Sequence, residues 1–180
     1  GLYAELIQNR SFEYHPYTDS VANATYLTTQ PLDAWTIVKR GNALASVAVK
    51  NDFPLNKNNP HYLEFNVLFE GTEAGVRNAG FFGIPVEQGN SYPYSIYLRS
   101  ETPVDYPVII KLESGNINIG SDTIKGLSTS WKKFEGKITC AKTSDFATLV
   151  VSVRGRGKIY MDMVSLFPQN TYKNRKNGLR

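Results

Sequence analysis

The chain has 180 residues, 41% hydrophobic and 12% aromatic, enough apolar side chain for one domain with a full core and a strain for two. The formal charge of +4 does not describe its body: Lys173, Arg175, Lys176 and Arg180 fall near the end, and without them 16 basic residues face 16 acidic ones, which argues against the one-sided basic footprint of a nucleic-acid binder. No apolar run approaches the roughly 20 residues of a membrane-spanning helix, and the single Cys140 leaves no disulfide framework or thiolate cage, so it reads as a small buried hydrophobe.

Eleven Tyr, nine Phe, fourteen Gly and nine Pro, with few Ala-Leu-Glu blocks, favour strands and turns over helices. In chain order, short alternating or apolar runs predict strands over 43–49, 61–69, 81–87, 92–100, 108–113, 132–139, 148–154 and 158–167. Turn chemistry separates them, as in Asn56-Lys57-Asn58-Asn59-Pro60, Glu87-Gln88-Gly89-Asn90 and Arg154-Gly155-Arg156-Gly157. Asn78-Ala79-Gly80-Phe81-Phe82-Gly83 has two glycines at an i, i+3 interval but no Lys-Ser/Thr ending and no following helix. It reads as a bend where chain segments approach closely, not as a phosphate loop. This spacing predicts an all-β fold, an antiparallel β-sandwich of jelly-roll, galactose-binding-domain-like form.

Strand parity selects candidate binding residues. With Tyr92, Tyr94, Ile96 and Leu98 toward the core, Ser95, Tyr97 and Arg99 point the other way; with Leu63, Phe65, Val67 and Phe69 inward, Tyr62, Glu64 and Asn66 point out. Outward rings stack on the apolar faces of sugars while acids, amides and guanidinium groups bond their hydroxyls. The alternative is that these are ordinary solvated faces, or aromatics that cover a neighbouring domain. Trp35, after Pro31-Leu32-Asp33-Ala34, either stacks on sugar or plugs the end of the core. His15 and His61 carry no nucleophile or metal-site motif and read as surface or packing residues. Asn9-Arg10-Ser11 and Asn23-Ala24-Thr25 match the glycosylation triplet, a pattern too short to use. Retaining glycosidases need two carboxylates about 5 to 5.5 Å apart across the scissile bond, and no acid here sits in a recognisable motif of that kind.

Five further strings carry a resemblance. Gly1-Leu2-Tyr3-Ala4-Glu5-Leu6-Ile7-Gln8-Asn9-Arg10-Ser11-Phe12-Glu13 resembles the segment after the first barrel strand of family 51 glycoside hydrolases, the α-L-arabinofuranosidases, and Tyr172 to Arg180 resembles the point where that barrel resumes. Asn78 to Ile84 and Ile159-Tyr160-Met161-Asp162-Met163-Val164-Ser165-Leu166, with the stretch between the ends, are similar to a β-sandwich inserted there, itself similar to family 4 carbohydrate-binding modules. Trp131-Lys132-Lys133-Phe134-Glu135-Gly136 is similar to a W-x-x-F-x-G string of such modules, which implies a Trp131 packed in the core.

The resemblance implies a fragment of a larger protein: 1–13 as junction and first strand, 14–167 as the sandwich, 168–180 as the return to the barrel, with residues 2–13 lying beside the 158–167 strand. Catalytic glutamates would lie beyond Arg180, so the fragment would be non-catalytic and without a cofactor. The parent would remove terminal arabinofuranosyl units with retention. The insert would either bind arabinan or arabinoxylan chains or pack on the catalytic barrel as a structural part. Asp162 stands where such modules often have an aspartate helping to bind structural calcium, with Glu13 a second ligand; the alternative is that Asp162 bonds backbone amides of an adjoining strand. Polysaccharide use implies a periplasmic or secreted parent.

Overall fold

In the computed structural model, residues 5–8, 10–13 and 34–168 are described. They form eleven strands: β1 Trp35–Arg40, β2 Leu44–Lys50, β3 Tyr62–Phe69, β4 Glu73–Asn78, β5 Ile84–Val86, β6 Ser91–Ser100, β7 Val108–Ser114, β8 Ile117–Ile124, β9 Lys132–Thr139, β10 Ser144–Val153 and β11 Gly157–Leu166. One sheet runs β1-β4-β10-β7-β8 with β5 added on β10, the other β2-β3-β11-β6-β9. Every pairing between these strands is antiparallel. The fold is an antiparallel β-sandwich.

Alternation explains the core. Val108, Ile110 and Leu112 of β7, Leu149, Val151 and Val153 of β10, and Ile96 and Leu98 of β6 are fully buried between the sheets. Cys140 joins them as a buried free thiol, a small apolar filler. In β11 the parity changes: Ile159 and Met161 face inward, then the register shifts between Asp162 and Ser165, and Val164 and Leu166 take the inward positions. Met163, at φ 50°, is the extra residue of this bulge. Asp162 is thereby left on the outer face of the sheet, beside the bulge.

Three strands depart from the sequence expectation: β1, β4 and β8 read as loop because each carries charge or Gly where a half-buried strand carries apolar residues. The outer face of the six-stranded sheet accounts for β4. There Glu73 and Glu113, 6% and 2% exposed, are held among Arg40, Arg77 and Lys111. The expected strand over 81–87 is only Ile84–Val86, and the turn before it is a close approach, as its glycines suggest. A Cβ on Gly80, φ 65°, would lie 2.7 Å from the Leu6 carbonyl oxygen, and one on Gly83 2.8 Å from Phe146 Cα.

The opening residues lie along β11 as irregular chain: Leu6 N donates to the Leu166 carbonyl at 2.9 Å and Val164 N to that of Arg10 at 3.0 Å. Leu166 N also donates to Glu5 Oε2 at 2.6 Å. His15, both glycosylation triplets and the basic run 173–180 include residues outside those described.

Candidate functional site

The register of the five-stranded sheet gathers most of the sequence candidates on one face. Tyr160 of β11 stands between Glu64 of β3 and Arg99 of β6, Lys158 is opposite Asn66, and Asp162 is opposite Tyr97, whose other neighbour is Lys133 of β9. Parity along β3 and β6 therefore places these candidates together on the outer face of the sheet. It does not report what covers that face.

The chain between β2 and β3 folds over part of it, with two consequences. First, Tyr62 is no open platform: it is 1% exposed, its hydroxyl donates to Asp52 Oδ1 at 2.6 Å, and its ring meets Trp131 and Tyr160 edge to face at 5.4 and 5.7 Å. Burial, with the Asp52 carboxylate as hydrogen-bond partner, pushes the phenol up to about 12. Second, Arg99 is 7% exposed and spends its charge on rings. Its guanidinium carbon is 4.0 Å from the Tyr160 ring centre, 4.4 Å from Phe53, 5.2 Å from Trp131 and 5.6 Å from Tyr62. Such cation–π contacts are worth about 0.5 to 2 kcal/mol each. Arg99 thus has no arm free to reach a distant ligand.

Of the two readings of Trp35, the structure shows the plug and not the platform. Trp35 is 6% exposed and packs on Phe12 with ring centres 5.1 Å apart. Trp131, expected in the core, is corrected. It lies on the outer face, part-exposed, its indole N–H donating to the Phe53 carbonyl at 3.1 Å. Phe69, expected inward, is 37% exposed at the end of β3, beneath the Arg156 guanidinium at 5.3 Å.

Tyr97, Glu64 and Asn66 remain accessible in part. Tyr97 borders a pocket of about 290 Å³ shared with Asp162, Met163, Leu55, Asn56 and Asn59. Its walls offer a ring, two side-chain amides and a carboxyl. Asp162 is 1% exposed; burial, and then the neighbouring charge of Glu13, pushes its carboxyl up to about 8 against the pull of the Met163 amide. Burial thus favours its protonated form, which can donate as well as accept.

Asp162 and Glu13, proposed from sequence as calcium ligands, are within electrostatic reach of each other. Glu13 accepts from the His61 backbone N–H and contacts His61 Nδ1, both at 2.6 Å. Asp162 Oδ1 accepts from Met163 N at 2.8 Å. Two carboxylates supply only part of the six to eight oxygens calcium takes, and among the described residues no three acidic, imidazole or thiol groups gather as a metal site.

Phe53, Trp131 and Tyr160 are the members of this face that sequence reasoning did not pick. Only Phe53 left a signal: an aromatic in Asn51-Asp52-Phe53-Pro54 has no alternating strand to account for it.

No family model matches the chain. It is 36% identical over its whole length to an extracellular exo-α-L-arabinofuranosidase of Streptomyces chartreusis, of which it spans 19%. It is 28% identical over 96% of its length to α-L-arabinofuranosidase 2 of Arabidopsis thaliana, of which it spans 25%. The chain thus spans about a fifth to a quarter of the curated relatives it matches. Among solved structures, the arabinose-bound family 51 α-L-arabinofuranosidase MgGH51 superposes on the whole chain at a TM-score of 0.76 and 29% identity, 28% of that chain being covered. A family 4 carbohydrate-binding module shares the fold at a TM-score of 0.60 and 21% identity, over 91% of this chain and 99% of its own. The chain is an antiparallel β-sandwich domain that is similar, along its full length, to part of family 51 α-L-arabinofuranosidases.

Proposed function

We propose that this domain is a non-catalytic carbohydrate-recognition unit of an α-L-arabinofuranosidase, binding a sugar residue of an arabinan or arabinoxylan chain in the Tyr97 pocket. The pocket itself carries the reading: about 290 Å³ is the scale of one or two sugar rings, and its lining pairs an aromatic face with hydroxyl-binding groups. The whole protein would remove terminal arabinofuranosyl units with barrel carboxylates and no cofactor, and would be periplasmic or secreted; the relatives' names support the activity, and the name of the Streptomyces relative, extracellular, supports the placement. Titration with arabino- and xylo-oligosaccharides, followed by heat and Trp fluorescence, tests the proposal. Saturable binding abolished by Tyr97→Ala is expected. No binding at millimolar sugar would refute it.

A second reading, a structural insert packed on a catalytic barrel, has its own observation. Phe82 is 96% exposed, Phe146 72% and Phe81 53%, and Gly83 against Phe146 brings their segments together. Exposed clusters of large rings mark protein contact surfaces.

Structural calcium held by Asp162 and Glu13 is a separate proposal. A divalent cation would compensate two neighbouring carboxylates, one of them almost wholly buried, while backbone carbonyls completed the shell.

A further inference from the structure

We propose that Phe53 and Trp131 form a second sugar-stacking subsite next to the Tyr97 pocket, so that the face engages a chain of two or more sugar units. This inference deepens the carbohydrate-binding function proposed above and rests on it.

The two places are contiguous. Arg99, around which the rings close, is two residues from Tyr97 on the same face of β6, about 7 Å along the strand. The connection between β2 and β3 contributes to both, with Phe53 to the platform and Leu55, Asn56 and Asn59 to the pocket. A saccharide seated against Tyr97 would therefore extend over Phe53 and Trp131.

The platform is held by contacts within the domain. Trp131 is held by its hydrogen bond to the Phe53 carbonyl and by the edge of Tyr62 at 5.4 Å. The Arg99 guanidinium is 4.4 Å from the centre of the Phe53 ring and 5.2 Å from that of Trp131. Asp52, next to Phe53, is tied to β3 through the Tyr62 hydroxyl. Among the described residues no carboxylate pairs with Arg99, and its buried Nε has no acceptor. Its nearest partners are π faces, with the Tyr62 hydroxyl and the Asp52 carboxylate within electrostatic reach, and its effect is to hold rings in place. Fixed rings give up little conformational entropy on binding, which favours a stacked ligand.

Exposure separates a platform from a plug. Phe53 keeps 57% of its surface in solvent, although the same loop buries Tyr62 and Arg99 beneath it. A ring whose only task was to cover the sheet would itself be covered.

The test is a titration of wild type, Phe53→Ala, Phe53→Trp and Tyr97→Ala with arabinose and with linear arabino-oligosaccharides of two to five units. Wild type is expected to bind the oligosaccharides at least tenfold more tightly than arabinose. Phe53→Ala should erase about tenfold of that gain and leave arabinose binding unchanged, with Phe53→Trp restoring it. A quenched or shifted Trp fluorescence should accompany oligosaccharide binding and not arabinose binding. Retention of the full chain-length gain by Phe53→Ala would overturn the subsite while leaving the pocket standing if Tyr97→Ala abolishes binding. Loss in Phe53→Ala with none in Tyr97→Ala would keep the platform and remove the pocket. Absence of saturable binding in wild type would remove both.

Discussion

Replacing Glu113 by Gln asks how much the charge network on the six-stranded sheet contributes to stability. Glu113 accepts from Arg40 at 2.9 and 3.0 Å and from Arg77 at 2.8 Å, and pairs with Lys111 at 3.1 Å. Burial alone would raise its carboxyl, but the hydrogen bonds of Arg40 and Lys111 and their charges outweigh it and hold the group down at about 2, against an ordinary 4.5. At about 1.4 kcal/mol for each tenfold change in proton affinity, that is a stabilisation of about 3 kcal/mol from the charged form. Glutamine keeps an acceptor oxygen but leaves Arg40 and Lys111 with Glu73 as their carboxylate and takes from Arg77 the carboxylate it pairs with, and removal of one partner from a buried charge cluster costs about 3 to 5 kcal/mol. Because Arg40 and Arg77 are 29% and 26% exposed, the lower end, about 3 kcal/mol at pH 7, is expected. The folded value is depressed, so this stability is fully present above about pH 4.5 and is lost as pH falls toward 2. Urea unfolding of both proteins from pH 7 to pH 2 reads it. The curves should lie about 3 kcal/mol apart at neutral pH and converge in acid. A variant within 0.5 kcal/mol of wild type at pH 7, or curves that stay parallel to pH 2, would refute the reasoning.

Gly136→Ala should cost about 1 to 3 kcal/mol, seen as a lowered Tm, because the new Cβ would lie 2.5 Å from Asp122 Oδ2 and 2.7 Å from Tyr94 Oη, where the Tyr94 hydroxyl donates to that carboxylate; an unchanged Tm would mean the pair moves aside freely. If Asp162 and Glu13 bind calcium, millimolar calcium raises Tm in wild type and not in Asp162→Asn, whereas equal response of both proteins places any ion elsewhere. The 180-residue chain should leave a nitrophenyl arabinofuranoside at the buffer rate of hydrolysis; a clear excess that survives repurification would show catalytic carboxylates within it. Phe82→Ser should leave the Tm within about a degree, since a ring 96% exposed packs on little; a drop of several degrees would mean the ring contributes to packing.

Periodicity was readable wherever a strand has one apolar and one polar face. β3, β6, β7 and β9 follow the expectation, and the parity that put Tyr97 and Arg99 opposite Ile96 and Leu98 holds. Of the missed strands, β4 owes its loop-like look to charge: Glu73 and Arg77 read as loop residues until Lys111 and Glu113 of β7 are placed near them, a pairing across the sheet that no local window contains. Burial at the candidate site was illegible for a related reason. Tyr62 and Arg99 were assigned to the correct face, but the chain around Phe53 returns over that face, and strand alternation cannot register a loop that folds back. Trp131 was misplaced because its W-x-x-F-x-G string resembles that of modules whose tryptophan packs in the core; its position immediately before β9 sets it instead against Phe53 and Tyr62.

The hydrogen bond from Leu6 to Leu166 sets the two ends of the folded unit a strand's spacing apart, about 5 Å. Were the domain an insertion in a larger polypeptide, it would act as a short rigid link, since the closure entropy that a flexible loop accrues with its length would be settled by the domain's own folding. A surface loop that received it would be widened by the width of one strand pair, whatever number of residues is folded in between. Gain or loss of such an insert would leave the geometry of its host almost untouched, and the outer face of its sheet could change without altering the spacing of its ends.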